Sequence, residues 1–198
     1  ASVLAASPTA RFTLVYTNRA TQDVMFLDDL ADLKDRYPAR LALHHVLSRE
    51  QRTAPLLSGR IDAEKLDAIL DKYAPLGWQM SFHVNGDIGL DIVLDAYEYA
   101  LVKHNLMGTD HRWRIEHVGA GRGEQFQRAA SLGVIASMAP FQFYYWGDLL
   151  DGQMFETQIG ANWGRFKAAF DAGVRPSFHN DGSVSPPNPL LNMQTAVT

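Results

Sequence analysis

The chain has 198 residues, 46% of them hydrophobic and 20% charged, which is enough apolar content to bury a core and excludes a disordered tail. Its 18 basic and 22 acidic residues leave a net charge of −4, so no basic footprint is offered to nucleic acid or to an anionic membrane. With no cysteine, a disulfide frame, a zinc-thiolate site, an iron–sulfur cluster and a thiol nucleophile are excluded, and any metal must sit on His and carboxylate. No apolar run approaches the ~20 residues that span a bilayer, and the opening ASVLAASPTA lacks a basic signal-peptide region. A cytoplasmic protein without membrane partners is expected, and the missing initiator Met is read as the mark of a fragment.

In chain order, β-prone apolar runs fall at 11–16 (RFTLVY), 41–47 (LALHHVL), 79–84 (QMSFHV), 112–117 (RWRIEH), 133–139 (GVIASMA) and 175–180 (RPSFHN). Helical spacing fills the intervals at roughly 22–36, 62–74, 88–104, 123–131 and 161–172, as in Ile88, Val93, Leu94, Tyr97 and Leu101. Alternation of this kind predicts an α/β fold of parallel strands joined by right-handed crossovers, either an open sheet or an arc of a (β/α) barrel. REQRTAPLLSGR (49–60) and the aromatic PFQFYYWGD (140–148) interrupt the rhythm and read as long connections, while SVSPPNPL (183–190) reads as a Pro-rich turn.

In either architecture chemistry gathers where strands end. Three strand ends carry metal-ligating groups: His83 in FHVNGD, His117 in RIEHVG and Asp181 in FHNDGS, the last preceded by His179. His117 follows His83 by 34 residues and Asp181 follows His117 by 64, about one and two βα units, so all three are expected on one rim. Two imidazoles and a carboxylate suit a divalent metal such as zinc, which lowers the pKa of bound water; Asp181 could then take the water's proton. A single strand-end His is more often structural, but three groups on one rim make a stronger case. His44 and His45 are neighbours on one strand, point to opposite faces and are taken as structural. His104 and His111 flank an acidic turn and are left out. Gly86 and Asp87 are expected to shape the loop after His83 and start the next helix. Phe141, Phe143, Tyr144, Tyr145 and Trp146 suggest either a pocket wall or a packed hydrophobic loop.

The segments GWQMSFHVNGD (77–87), LDAYEYAL (94–101), DHRWRIEHV (110–118), LGVIASMAPFQFYYWGD (132–148) and AGVRPSFHNDGSVSPPNPL (172–190) together resemble the amidohydrolase superfamily. The similarity is to its branch called amidohydrolase family 3, in the order and spacing of the fifth to eighth barrel strands. It covers about 66–198 and implies a metal-dependent hydrolase of amide or cyclic-amide C–N bonds acting on a small molecule. His83 and His117 would be metal ligands, Asp181 ligand and proton carrier, and His179 a group supporting them. The His-x-His pair and bridging Lys or Glu that complete such sites have no counterpart in residues 1–65, and the chain ends before the family's β-sandwich.

Residues 1–65 instead resemble part of the NAD(P)-binding domain of ferredoxin reductase-like flavoenzymes, through RFTLVYTNRA (11–20), VMFLDDLADLKDRYPARLALHHVLSRE (24–50) and PLLSGRID (55–62). Thr17 stands where that family usually has Gly, and its phosphate-binding turn has no counterpart, so Arg19 is left with little ribose phosphate to meet. A Rossmann-like fragment (1–65) joined at about 60–70 to half an amidohydrolase barrel (66–198) is the resulting expectation. The alternatives are a non-catalytic chimeric fragment and an NAD(P)-binding reductase fragment. An open half-barrel is expected to expose Met80, Phe82 and Ile115, which would favour a homo-oligomer.

Overall fold

The computed structural model describes residues 2–182 and 184–197. It forms two compact units, Ala1–Lys65 and Leu66–Thr198.

In the first unit a short helix α1 (Ser2–Ala6) precedes β1 (Phe12–Asn18), α2 (Leu27–Arg36) and β2 (Leu41–Leu47). The two strands run parallel in register from Phe12 with Leu41 to Asn18 with Leu47. One βα crossover of this kind is expected from the apolar run, helical stretch and second run in the sequence. The layer is thin: no residue of α2 is buried, and the buried apolar side chains are Leu4, Val24 and, on β2, Leu41, Val46 and Leu47.

α3 (Ala63–Tyr73) leads to the second unit, where β3 (Ser81–Val84), α4 (Asp87–Lys103), β4 (Arg114–His117), α5 (Gly123–Ser131) and β5 (Ile135–Met138) follow. Beyond them come α6 (Pro140–Leu150), the short α7 (Thr157–Gly160), α8 (Phe166–Asp171), β6 (Arg175–Phe178) and α9 (Pro189–Val197). The four strands are all parallel and stand in chain order, β3-β4-β5-β6. Sequential order without a reversal is the winding of a (β/α) barrel, since a doubly wound sheet changes direction at a switch point. The predicted α/β fold and partial barrel arc are what the chain forms.

The core of this unit lies between sheet and helices. α4 turns Leu90, Val93, Leu94, Tyr97, Ala100 and Leu101 inward at three- and four-residue steps, and Trp113, Ile115, Phe126, Ala136 and Met138 are buried in the same unit, with the Tyr97 and Trp113 rings 5.0 Å apart. The polar tips of the large aromatics are satisfied: Tyr97 Oη donates to the Arg114 carbonyl at 2.7 Å and Trp113 Nε1 to the Trp78 carbonyl at 3.1 Å.

Two expectations are corrected here. Met80 and Ile115 are buried and Phe82 is half-buried, because alternation along these strands points the apolar residues at the helices and leaves Ser81, His83 and Ser177 on the exposed face. The open face is therefore polar rather than apolar. The aromatic stretch 140–148 is no connection but most of α6, with Pro140 in the first turn, where its missing N–H costs nothing, and Phe141, Gln142 and Leu150 buried.

Candidate metal centre

The C-terminal rim of the second unit is built by β3, β4 and β6. Register places His83 opposite Glu116 and Val84 opposite His117. Partners in register share a face, so His83 lies with Ser81, Arg114 and Glu116, where Ser81 Oγ donates to Glu116 Oε1 at 2.5 Å. Alternation alone would place His117 with Val84 and Ile115 on the helix side. The backbone ends the alternation there: His117 has φ 72° and Val118 φ 56°, left-handed conformations that side-chain-bearing residues seldom adopt and that cost ~1–3 kcal/mol each. Beyond this turn the His117 ring lies 4.4 Å from that of His83 and 4.7 Å from that of His179, edge to face with both.

His117 is only 5% exposed. Burial first, then the neighbouring His83 and His179, pushes its pKa down to about 4, against an opposite pull from Asp181 and Glu116. It is therefore neutral at pH 7, the form in which imidazole ligates metals. Asp181 also has a left-handed backbone, φ 56°, and its N–H donates to His179 Nδ1 at 3.2 Å. Since His179 Nδ1 accepts that bond, the ring's other nitrogen carries the proton. That Nε2 is buried and has no hydrogen-bond partner, so the ring holds a donor without an acceptor.

The sequence expects His83, His117 and Asp181 as ligands with His179 supporting them; the structure brings the rings of His83, His117 and His179 together, while Asp181 lies on the loop two residues past His179. The remaining histidines are elsewhere. His104 Nε2 pairs with Asp71 at 3.0 Å, and His111 bonds the Leu132 carbonyl and the Trp113 N–H at 2.9 and 3.0 Å. His45 lies on β2 of the first unit, where burial depresses its pKa. Arg19 lines a cavity of about 610 Å³ with Thr17, Asn18, Asp23, Ser48 and Arg60, also in the first unit.

Three further residues escaped sequence reasoning. Gln142, buried in α6, brings its Nε2 within 3.5 Å of His117 Nδ1 and accepts the Trp163 indole N–H on its Oε1 at 3.1 Å. Arg122 clamps the loops behind the rim: its guanidinium bonds Asp87, Asp91 and Glu124, while Gln125 Nε2 donates to the Asp87 carbonyl at 2.8 Å and to Asp91 at 2.7 Å. The signals were a polar residue amid aromatics and an Arg-x-Glu-Gln run at a helix start, neither of which names its partner.

The neutral His117 imidazole, with the His83 ring beside it, has the chemistry of a divalent-metal ligand pair. Assembly goes less far: among the described residues no three His, Asp or Glu side chains are disposed to hold one ion as they stand. The fit is that of a two-imidazole half-site.

Comparison with known proteins bears on the same residues. Residues 23–198 match the amidohydrolase family. The chain belongs to that family. N-substituted formamide deformylase of Arthrobacter pascens is 33% identical over 122 residues, 62% of this amidohydrolase chain and 22% of the deformylase. One component protein of the 1,2-phenylacetyl-CoA epoxidase of Escherichia coli K12 is 49% identical over 69 residues, 35% of this chain and 19% of the epoxidase component. Among solved structures, an uncharacterized metal-dependent hydrolase of Pyrococcus furiosus superposes with a TM-score of 0.56 at 22% identity, over 86% of this chain and 38% of its own. That last likeness is one of fold. The chain thus spans about a fifth of the length of the two curated relatives.

Proposed function

We propose that the second unit is the C-terminal half of an amidohydrolase active site, which hydrolyses a C–N bond of a small amide or cyclic amide through activated water. The observation that carries this reading is the approach of the His83 and His117 rings to 4.4 Å at the C-terminal rim of a sequentially ordered parallel sheet. His83 and His117 would hold a divalent metal, most simply zinc, as the two-imidazole half of a site, with Asp181 on the adjoining loop as its proton carrier. When bound, the metal supplies a water of lowered pKa. Asp181 takes a proton from water and returns it to the leaving nitrogen.

Zinc-loaded chain and an N-substituted formamide, the substrate class in the Arthrobacter relative's name, test the reading. Release of the amine that is lost in Asp181→Asn while zinc binding persists is the expected result. A folded, zinc-loaded chain that releases no amine from formamides or cyclic amides overturns it in favour of a silent fragment.

A second reading concerns the first unit, in which residues 1–65 derive from a ferredoxin reductase-like NAD(P)-binding domain and the chain is a chimera. The 49% identity with the epoxidase component supports it. Calorimetric titration of NADPH into the chain measures how much nucleotide binding residues 1–65 carry.

A further inference from the structure

The hydrogen-bonding capacities of Trp163, Gln142 and His117 constrain one another in a fixed order. An indole N–H only donates, so the atom of Gln142 facing Trp163 at 3.1 Å must be the carbonyl Oε1. The amide's other end, the NH₂ that only donates, then faces His117 Nδ1 at 3.5 Å. Nδ1 must accept, and a neutral imidazole whose Nδ1 accepts carries its proton on Nε2.

The anchor of this chain is itself tightly held. Trp163 is 9% exposed and Gln142 7%. A Cβ built on Gly119, two residues past His117, would fall 2.2 Å from the Trp163 ring, so the indole lies directly on the backbone of the loop that carries His117. The Gly164 N–H donates to the Gly119 carbonyl at 2.7 Å, and Phe155 stacks on the indole with centroids 5.1 Å apart. The indole cannot easily swing away, and Gln142 cannot turn its amide over without stranding a buried N–H.

We propose that Gln142, oriented by Trp163, is a positioning residue that locks His117 in the Nε2–H tautomer. The lock has a consequence for the rim. A cation that ligates His117 through Nε2 must move that proton to Nδ1, where it meets the amide NH₂, so ligation through Nε2 competes with the Gln142 contact. This consequence rests on the metal-site reading; the tautomer does not.

The tautomer is read directly from the long-range ¹H–¹⁵N correlation pattern of histidine rings in the ¹⁵N-labelled, metal-free chain at pH 7. Wild-type His117 is expected to show the Nε2-protonated pattern, with Nδ1 displaced in the direction of an accepted hydrogen bond. Trp163→Phe keeps a ring on Gly119 but releases the amide, and is expected to average the two tautomers. Gln142→Glu places a carboxylate that accepts from both neighbours, and is expected to invert the pattern to Nδ1–H. An Nδ1-protonated wild type overturns the proposal whatever the variants do, as does a folded Trp163→Phe in which the His117 pattern is unmoved.

Discussion

Two parallel βα regions occur in one chain, and they end differently. β1 and β2 stop at Asn18 and Leu47 beside a cavity lined by Arg19 and Arg60, and their crossover helix has no buried residue. β3, β4 and β6 stop at a cluster of histidines, two residues of which, His117 and Asp181's neighbour His179, press together behind helices packed around Tyr97 and Trp113. The same strand–helix–strand physics produces both. What separates them is depth of core and what the strand ends carry: left-handed backbone occurs in both, at Phe26 in the first and at His117, Val118 and Asp181 in the second, but only in the second does it fall where the strands end in histidines.

The sharpest way to break this comparison is to hollow the deeper core. Trp113→Ala removes a side chain that is 1% exposed and is expected to cost ~3–5 kcal/mol, read from the denaturant midpoint. Amides of β1 and β2 should keep their exchange rates in that variant. If they are released together with those of β4, the two regions are one cooperative block. A smaller loss, ~1–3 kcal/mol, is expected for Gly119→Ala, whose methyl group would collide with Trp163. A shift in tryptophan fluorescence should accompany it, whereas Gly77→Ala, where nothing lies within 4 Å of an added Cβ but φ is 73°, should leave the spectrum unchanged.

The smallest effect sits on pH. The Gln125 amide first, and then Arg122, hold the Asp91 carboxyl below the ordinary carboxylate value. A depressed folded pKa means the unfolded chain binds the proton more readily, so this contribution is present above about pH 4 and fades as pH falls through the folded value. Asp91→Asn is expected to flatten the acid side of the stability profile of the second unit. An acid limb as steep as that of the wild type would show that the Arg122 clamp does not hold the rim loops.

Much of this was legible in the sequence. Periodicity marks all six strands, because each is a short apolar run bounded by polar turns, and α5 over 123–131 coincides with its observed span. The approach of His83 and His117 was legible from spacing, since one βα unit separates them; the spacing of two units to Asp181 does not by itself say how near that carboxylate comes. Other features were hidden for physical reasons. Register offsets His83 from His117 by one residue, and only the left-handed turn at His117, a tertiary feature with no glycine to announce it, brings their rings together. α6 was masked by Pro140 and a row of aromatics, whose weak helix propensity is overridden by burial of Phe141 and Leu150. Gln142 and Trp163 lie 21 residues apart on different elements, and no local pattern pairs them.

The central claim, that His83 and His117 serve one ion at one rim, is tested most directly by zinc titration of the wild type, His83→Ala, His117→Ala and the double variant. Residues that share one ion are coupled, so their losses are not additive. The account predicts one equivalent of zinc in the wild type, a tenfold or greater loss in each single variant, and a double variant no weaker than the weaker single. Losses that add in full, or one equivalent still bound by the folded double variant, would contradict it.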